Sequence, residues 1–286
     1  MSRVAGIVAA LILAAWSVSV AAADQPPRRI VALNWGLVDT LIALGVPPIA
    51  VPEATVYDRY VGGPPLDPDV VNIGLRMEPN LELLSALAPD LILIADEQEK
   101  LRARLERIAP TVNFTTFTAD RRPWDNALKA TRDLARLLGR EAAGEELVAD
   151  AEAAFSRVGS EMGGGSELPV LVVSFMDARH VRVYGDGSLP KEVLERGGLR
   201  SAWTGPTNAW GFATVGIEAL AETPDARLVV IEPVPPGAKS TLDCNPLWRN
   251  LPFVAEGRTQ TIEPALVFGM IPAAARLADL LADAPS

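Results

Sequence analysis

Short, wholly apolar runs recur along the chain: Ile30-Val31-Ala32-Leu33, Leu91-Ile92-Leu93-Ile94, Val170-Leu171-Val172-Val173 and Leu228-Val229-Val230-Ile231. Runs without polar alternation suit strands covered on both faces, as in parallel sheets. Between them the apolar spacing becomes helical. Leu37 to Leu44 reads as a helix closed by Gly45. Leu81, Leu84 and Leu87 form a buried stripe behind Pro79, a residue suited to the start of a helix. A charged helix is predicted from about Glu97 to Arg107, and a further helix from Pro190 to Gly197. His180 to Tyr184 alternates as a half-exposed strand, Val46 to Val51 is a strand-like run broken by two prolines, and Tyr57 to Val61 reads as an aromatic loop. Strands alternating with helices predict an α/β fold with a parallel sheet.

The segment from Trp124 to Met162 breaks this rhythm. Leu128, Leu134, Leu137, Leu138, Leu147, Val148 and Phe155 keep helical spacing throughout, with charges on the other faces. The prediction is one long helix, kinked near Gly144, that ends at Gly163-Gly164-Gly165-Ser166 and joins two lobes. The expected organisation is a signal peptide at 1–23, an N-terminal α/β lobe at 24–123, the linking helix at 124–162 and a C-terminal α/β lobe at 163–286.

An internal echo supports two lobes. Leu81-Glu82-Leu83-Leu84, Pro89-Asp90 and Leu91 to Ile94 are matched by Ile217-Glu218-Ala219-Leu220, Pro224-Asp225 and Leu228 to Ile231. The match puts Arg76 and Trp210 in corresponding loops that face each other across a cleft, a preferred place for a small-molecule site.

Composition narrows the partners. The chain of 286 residues carries a formal charge of −10. Arg3, an apolar run from Val4 to Val20 and Ala21-Ala22-Ala23 have the form of a cleaved secretory signal, so the mature protein is expected in an exported compartment. Its loss would remove one positive charge. An acidic surface argues against nucleic acid and anionic lipid. Cys244 is the single cysteine, which excludes an intrachain disulfide and leaves stability to core burial.

The residue inventory argues for binding over chemistry. His180 is the only histidine, so a nucleophile–base–acid set has a poor start, as does a side-chain cage for a bare transition metal. No glycine-rich run has the context of a nucleotide loop. By contrast, Trp35, Tyr57, Tyr60, Trp203, Trp210, Phe212 and Phe268 fall in or beside predicted strand–helix loops. With them stands Arg76, either an ion-pair partner for Glu78 or a guanidinium able to grip ligand oxygens.

Arg29-Ile30-Val31-Ala32-Leu33-Asn34-Trp35, Gly74-Leu75-Arg76-Met77-Glu78-Pro79-Asn80-Leu81-Glu82 and Thr207-Asn208-Ala209-Trp210-Gly211 resemble the iron–siderophore periplasmic binding proteins, nearest to the ferrichrome (hydroxamate) branch. The resemblance spans nearly all of the mature chain. It implies class III architecture: two α/β lobes, one long backbone helix and a shallow cleft between the lobes. It also implies capture of a ferric siderophore in the periplasm and its delivery to an inner-membrane ABC permease, by a monomer without cofactor or catalysis. On that pattern Arg76 contacts the iron-coordinating hydroxamate oxygens. Trp35, Trp210 and Asn208 belong to the cleft motifs, and Tyr60 replaces a tryptophan. Phe268 and Gln98 stand where the branch has binding tyrosines, and Leu266 also replaces an aromatic. Glu218 matches the C-lobe permease-docking carboxylate. The N-lobe docking position is Ala103, so Glu99 or Glu106 would substitute. A haem or corrinoid binder of the same fold is the alternative, followed by a secreted siderophore hydrolase.

Overall fold

The computed structural model describes residues 26–162 and 168–284. The expected signal peptide and the Gly163 to Ser166 boundary lie outside them.

The N-terminal lobe runs β1 (Ile30–Ala32), α1 (Trp35–Ala43), β2 (Ala50–Val51), α2 (Ala54–Val61), β3 (Val71–Asn72), α3 (Leu81–Ala86), β4 (Leu91–Ile94), a 3₁₀ turn (Asp96–Leu101), α4 (Arg102–Leu105) and β5 (Thr111–Asn113). Helices α5 (Pro123–Leu137) and α6 (Glu141–Glu161) follow. The C-terminal lobe runs β6 (Val170–Phe175), β7 (His180–Tyr184), α7 (Leu189–Arg196), β8 (Phe212–Gly216), a second 3₁₀ turn (Ile217–Glu222), β9 (Arg227–Ile231), α8 (Ala238–Cys244), α9 (Pro246–Arg249), α10 (Pro252–Ala255), β10 (Thr259–Ile262) and α11 (Ile271–Ala282).

Each lobe holds a five-stranded sheet, ordered β3-β2-β1-β4-β5 and β10-β9-β6-β7-β8. Matching β1 to β6 and β4 to β9 makes the two orders the same, which is the structural counterpart of the internal echo. The first sheet is wholly parallel, whereas β7 runs antiparallel to both β6 and β8. The parallel expectation therefore holds for one lobe and only for β6, β9 and β10 of the other. A hairpin at Asp177 to Arg179 replaces the helical crossover, and Asp177 accepts from the backbone N–H groups of Arg179 and His180. Trp210 precedes β8 whereas Arg76 follows β3, so their loops are not topological counterparts.

Strand alternation builds three cores. Ile30, Ala32, Leu91 and Leu93 of the first sheet share a cluster with Val170, Val172, Val229 and Ile231 of the second, through α5, α6 and α11. The opposite faces bury Val31, Leu33, Ile92 and Ile94 in one lobe, and Leu171, Val173, Leu228 and Val230 in the other. One continuous core thus crosses the lobe boundary, which favours small relative motion over hinge closure.

The predicted single linking helix is two. Gly139 adopts φ +63°, its N–H bonds Arg136 O, and the N–H of Arg140 bonds Ala135 O. This is a Schellman ending. Gly144 causes no kink; a Cβ there would lie 2.7 Å from the Cβ of Ala135, so its bare backbone lets α6 approach α5. Other expectations shift locally. Tyr57 to Val61 is helix α2 and not a loop, only Ala50–Val51 of the Val46 to Val51 run is strand, and the predicted charged helix is a 3₁₀ turn plus α4. Asn80 caps α3, its Oδ1 accepting from Leu83 N at 3.0 Å, so Pro79 precedes the cap and does not open the helix. Cys244 is exposed. No described helix is long and apolar enough to cross a membrane.

Candidate functional site: an aromatic cleft around Arg76

Two adjoining cavities of about 550 and 480 Å³ lie between the lobes, and Trp35, Arg76, Arg182, Leu266 and Phe268 line both. Trp210 lines the first and Tyr60 the second. The cleft volume suits a ligand larger than an amino acid or a simple ion.

Trp35 opens α1. Asn34 caps that helix, its Oδ1 accepting from the N–H groups of Gly36 at 2.8 Å and Leu37 at 3.4 Å. This cap fixes the turn from which the indole enters the cleft. The indole N–H donates to Pro52 O at 3.0 Å, and the ring meets Tyr60 in a stack at 6.1 Å and Tyr57 edge-on at 5.8 Å. Tyr57 and Tyr60 are three residues apart on α2. Tyr57 is buried, while Tyr60 is 43% exposed in the cleft wall.

Arg76 sits in a tight loop closed by a bridge between Gly74 and Pro79 and by Asn80 N–H donating to Ile73 O at 2.7 Å. Its guanidinium carbon lies 4.3 Å from the centroid of the Trp35 ring. Its Nε is 2.9 Å from Glu53 Oε2, and its backbone N–H donates to Glu53 Oε1 at 3.4 Å. Glu53, not Glu78, is therefore its carboxylate partner. The side chains are 41% and 21% exposed, so the ion pair adds at most ~1 kcal/mol of stability. Its main effect is to aim the guanidinium. Among the described residues no hydrogen bond occupies the terminal guanidinium nitrogens.

An aromatic cluster centred on Phe268 of the C-terminal lobe forms the facing wall and reaches Phe117 of the N-terminal lobe. Phe268 meets Phe117 at 5.8 Å, Phe212 at 5.7 Å and Tyr184 at 6.5 Å. Arg182 lies over Phe212 at 5.0 Å and Phe268 at 6.0 Å, and its buried Nε has no hydrogen-bond partner. Burial pushes the Tyr184 phenol up, so it stays neutral while bonded to Ser174 Oγ at 2.8 Å. Trp210, 49% exposed, projects from a turn that Asn208 organises: its Oδ1 accepts from the N–H groups of Trp210 at 2.9 Å and Phe212 at 3.3 Å. Asn208 is thus a brace behind the cleft and does not line it. Arg121 ties this turn to the other lobe, donating to Thr207 O at 3.3 Å and Asp186 O at 2.6 Å.

Gln98 is the clearest departure from expectation. It is fully buried, its Oε1 accepts from Ala95 N at 3.0 Å, and its amide nitrogen faces Met77 Sδ at 3.9 Å. It caps the 3₁₀ turn and does not reach the cleft, where its neighbours Asp96 and Glu97 stand instead. Arg182, Glu53 and Phe117 are lining residues that the sequence reading missed. Arg182 stands out of phase with Val181 and Val183, so alternation alone assigned it to a solvent face.

The carboxylates considered for docking are exposed. Glu218 lies in the second 3₁₀ turn, away from the cavities. Glu99 and Glu106 share Arg102, at 2.5 and 3.3 Å, and the Arg102 and Asn113 bonds hold the Glu99 carboxyl below its usual range. His180 is outside the cleft and pairs with Asp177 at 2.9 Å, which draws the Asp177 carboxyl down to about 2. Among the described residues no group of three or more His, Cys, Asp or Glu could hold a metal ion.

The sequence profile of the family described as "Periplasmic binding protein" matches residues 30–266. The chain belongs to that family. It is 34% identical over 255 residues to the iron(3+)-hydroxamate-binding protein FhuD of Escherichia coli (strain K12), covering 89% of this chain and 86% of the relative. It is 27% identical over 240 residues to the Fe(3+)-citrate-binding protein YfmC of Bacillus subtilis (strain 168), covering 81% and 72%. Among solved structures, the Fe3+–Desferal-bound siderophore binding protein FhuD from Vibrio cholerae superposes with a TM-score of 0.85 at 31% identity, covering 90% of this chain and 97% of that one. The two-lobe class III arrangement, expected from resemblance, is shared with it.

Proposed function

We propose that this protein captures a ferric siderophore of the hydroxamate class in the cleft between its lobes and delivers it to an inner-membrane ABC permease. The observation that carries the reading is Arg76, stacked on Trp35 with its terminal nitrogens free, at the centre of an aromatic-lined cavity. A guanidinium supplies several fixed donors, matched to the clustered oxygens of a chelate. The surrounding rings cover its organic skeleton. The iron arrives already chelated, so the protein needs neither a ligand cage nor a cofactor. The names of the relatives point the same way, since they bind ferric hydroxamate, ferric citrate and Desferal-chelated iron.

Arg76, Trp35, Tyr60, Trp210 and Phe268 contact the ligand in this reading, with Arg182 added. Asn208 acts by placing Trp210. Glu218 on one lobe and Glu99 or Glu106 on the other present carboxylates to the permease. The protein works in the periplasm, as a monomer and without catalysis.

Titration by intrinsic tryptophan quenching tests the reading, with ferrichrome, a ferric catecholate, haem and cobalamin as the panel. Ferrichrome should bind in the micromolar range or tighter, on the order of 8 kcal/mol or more. Preference for haem or cobalamin, or turnover of ferrichrome into products, would overturn it.

A further inference from the structure

We infer that Glu53 makes this cleft selective for ferric chelates of neutral or positive charge and turns anionic ones away. The inference rests on the ferric-chelate reading above and narrows the charge of the ligand.

Glu53 occupies a corner that serves two cleft residues at once. Pro52 O accepts the Trp35 indole N–H at 3.0 Å, and the Glu53 carboxylate holds Arg76 at 2.9 Å. The Glu53 backbone N–H donates to Gly74 O at 2.8 Å, so the corner also grips the start of the Arg76 loop. Glu53 sits at φ +53°, a left-handed conformation that disfavours side chains other than glycine, asparagine and aspartate. The fold tolerates that strain and places a carboxylate against the central guanidinium of the cleft. A bare arginine would attract any anion, whereas one neutralised by Glu53 still donates hydrogen bonds but offers no net charge.

The rest of the lining reinforces this balance. Two guanidiniums, Arg76 and Arg182, face four carboxylates: Glu53, Asp96, Glu97 and Glu232. The partners of Asp96 and Glu97 include the neutral amides of Asn113 and Asn34, both at hydrogen-bond distance, which do not offset their charge. The cleft is therefore acidic overall. Three singly charged hydroxamates on a ferric ion give a neutral chelate, which enters without electrostatic cost. Three catecholates give a chelate with three negative charges, which such a cleft repels.

The test titrates the purified protein with ferrichrome and with a ferric tris-catecholate, at low and high salt, using wild type, Glu53→Gln and Glu53→Asp. Wild type should prefer the neutral chelate by about a hundredfold or more, a gap that narrows between roughly 0.02 and 0.5 M salt as the repulsion is screened. Glu53→Gln should narrow the ratio by about tenfold, while Glu53→Asp should keep it. A change that scales both affinities equally would reduce Glu53 to a structural brace and sink the inference. So would a gap that ignores salt, a measurement on wild type that does not depend on how the variants fold. Failure of wild type to bind ferrichrome at all would remove the ferric-chelate reading itself, an outcome distinct from either.

Discussion

Arg76 lies with its guanidinium carbon 4.3 Å above the ring of Trp35, and the two are held there by neighbouring residues, Pro52 through the indole N–H and Glu53 through the guanidinium. The stack presents a preorganised cation and a flat apolar face side by side. A cation over an indole is worth about 0.5–2 kcal/mol, so the pair holds its geometry before any ligand arrives. Preorganisation of this kind spares the ligand the cost of ordering the side chain on binding.

Replacing Arg76 separates charge from shape. Arg76→Ala should weaken ferrichrome binding by more than about tenfold, because charge-assisted bonds to the chelate are lost in a sheltered cleft. Arg76→Lys should recover little of that, since a single ammonium cannot reproduce the planar fork or the stack on Trp35. Equilibrium quenching titrations of both variants supply the comparison, and full recovery by lysine would show that charge alone matters.

Gln98 should behave in the opposite way. Removing its side chain strips the cap from Ala95 N and leaves a buried donor unsatisfied, at a cost of about 1–3 kcal/mol. Gln98→Ala should therefore lower the thermal midpoint and leave chelate affinity within about twofold, since the residue does not reach the cleft. A large affinity loss at unchanged stability would restore Gln98 to the binding site.

Gly139 offers a clean test of the break between α5 and α6. Nothing lies within 4 Å of a Cβ added there, so Gly139→Ala probes only the left-handed backbone at φ +63°. The expected loss is about 1–2 kcal/mol, seen as a fall of roughly 2–8 °C in the melting midpoint. A neutral result would mean that the helices can join across this point.

Asp39 predicts a pH dependence of stability. It is almost fully buried on α1, and desolvation pushes its carboxyl up to about 6 despite the nearby Arg276 charge. Burial, with Asp39 and Asp58 nearby, also pushes the Tyr57 phenol up, so Tyr57 remains neutral throughout. A raised folded-state value means that the native protein binds the proton more tightly than the unfolded chain. Its contribution to stability is therefore full below about pH 4, declines as pH rises towards 6, and is absent above that. The integrated effect is at most roughly 3 kcal/mol. Denaturant titrations from pH 4 to 7 should show this decline in wild type and a flatter profile in Asp39→Asn.

Much of the fold was legible because its signals are local. Apolar runs without alternation marked β1, β4, β6 and β9, and Gly45 marked the end of α1 by a rule that involves only its neighbours, whereas the helix start two residues before Leu37 appeared only in the structure. The motifs around Trp35, Arg76 and Trp210 put those three residues at one cleft, and all three line the same cavity. What local signals could not fix was direction and depth. Whether α5 and α6 form one helix depended on the backbone sign at a single glycine. Whether Arg182 met solvent or the cleft depended on a hairpin reversing β7, and whether Gln98 faced ligand depended on how a 3₁₀ turn buried it. The partner of Arg76 was also out of reach, since Glu53 lies 23 residues away along the chain and meets it only when β2 and β3 pair. The sequence by itself determined the apolar strands at the centre of each sheet and the α/β class, because both follow from signals within a few residues. The tertiary structure alone decided which side chains share one cavity and which carboxylate meets Arg76, because both depend on long-range pairing and packing that no local window contains.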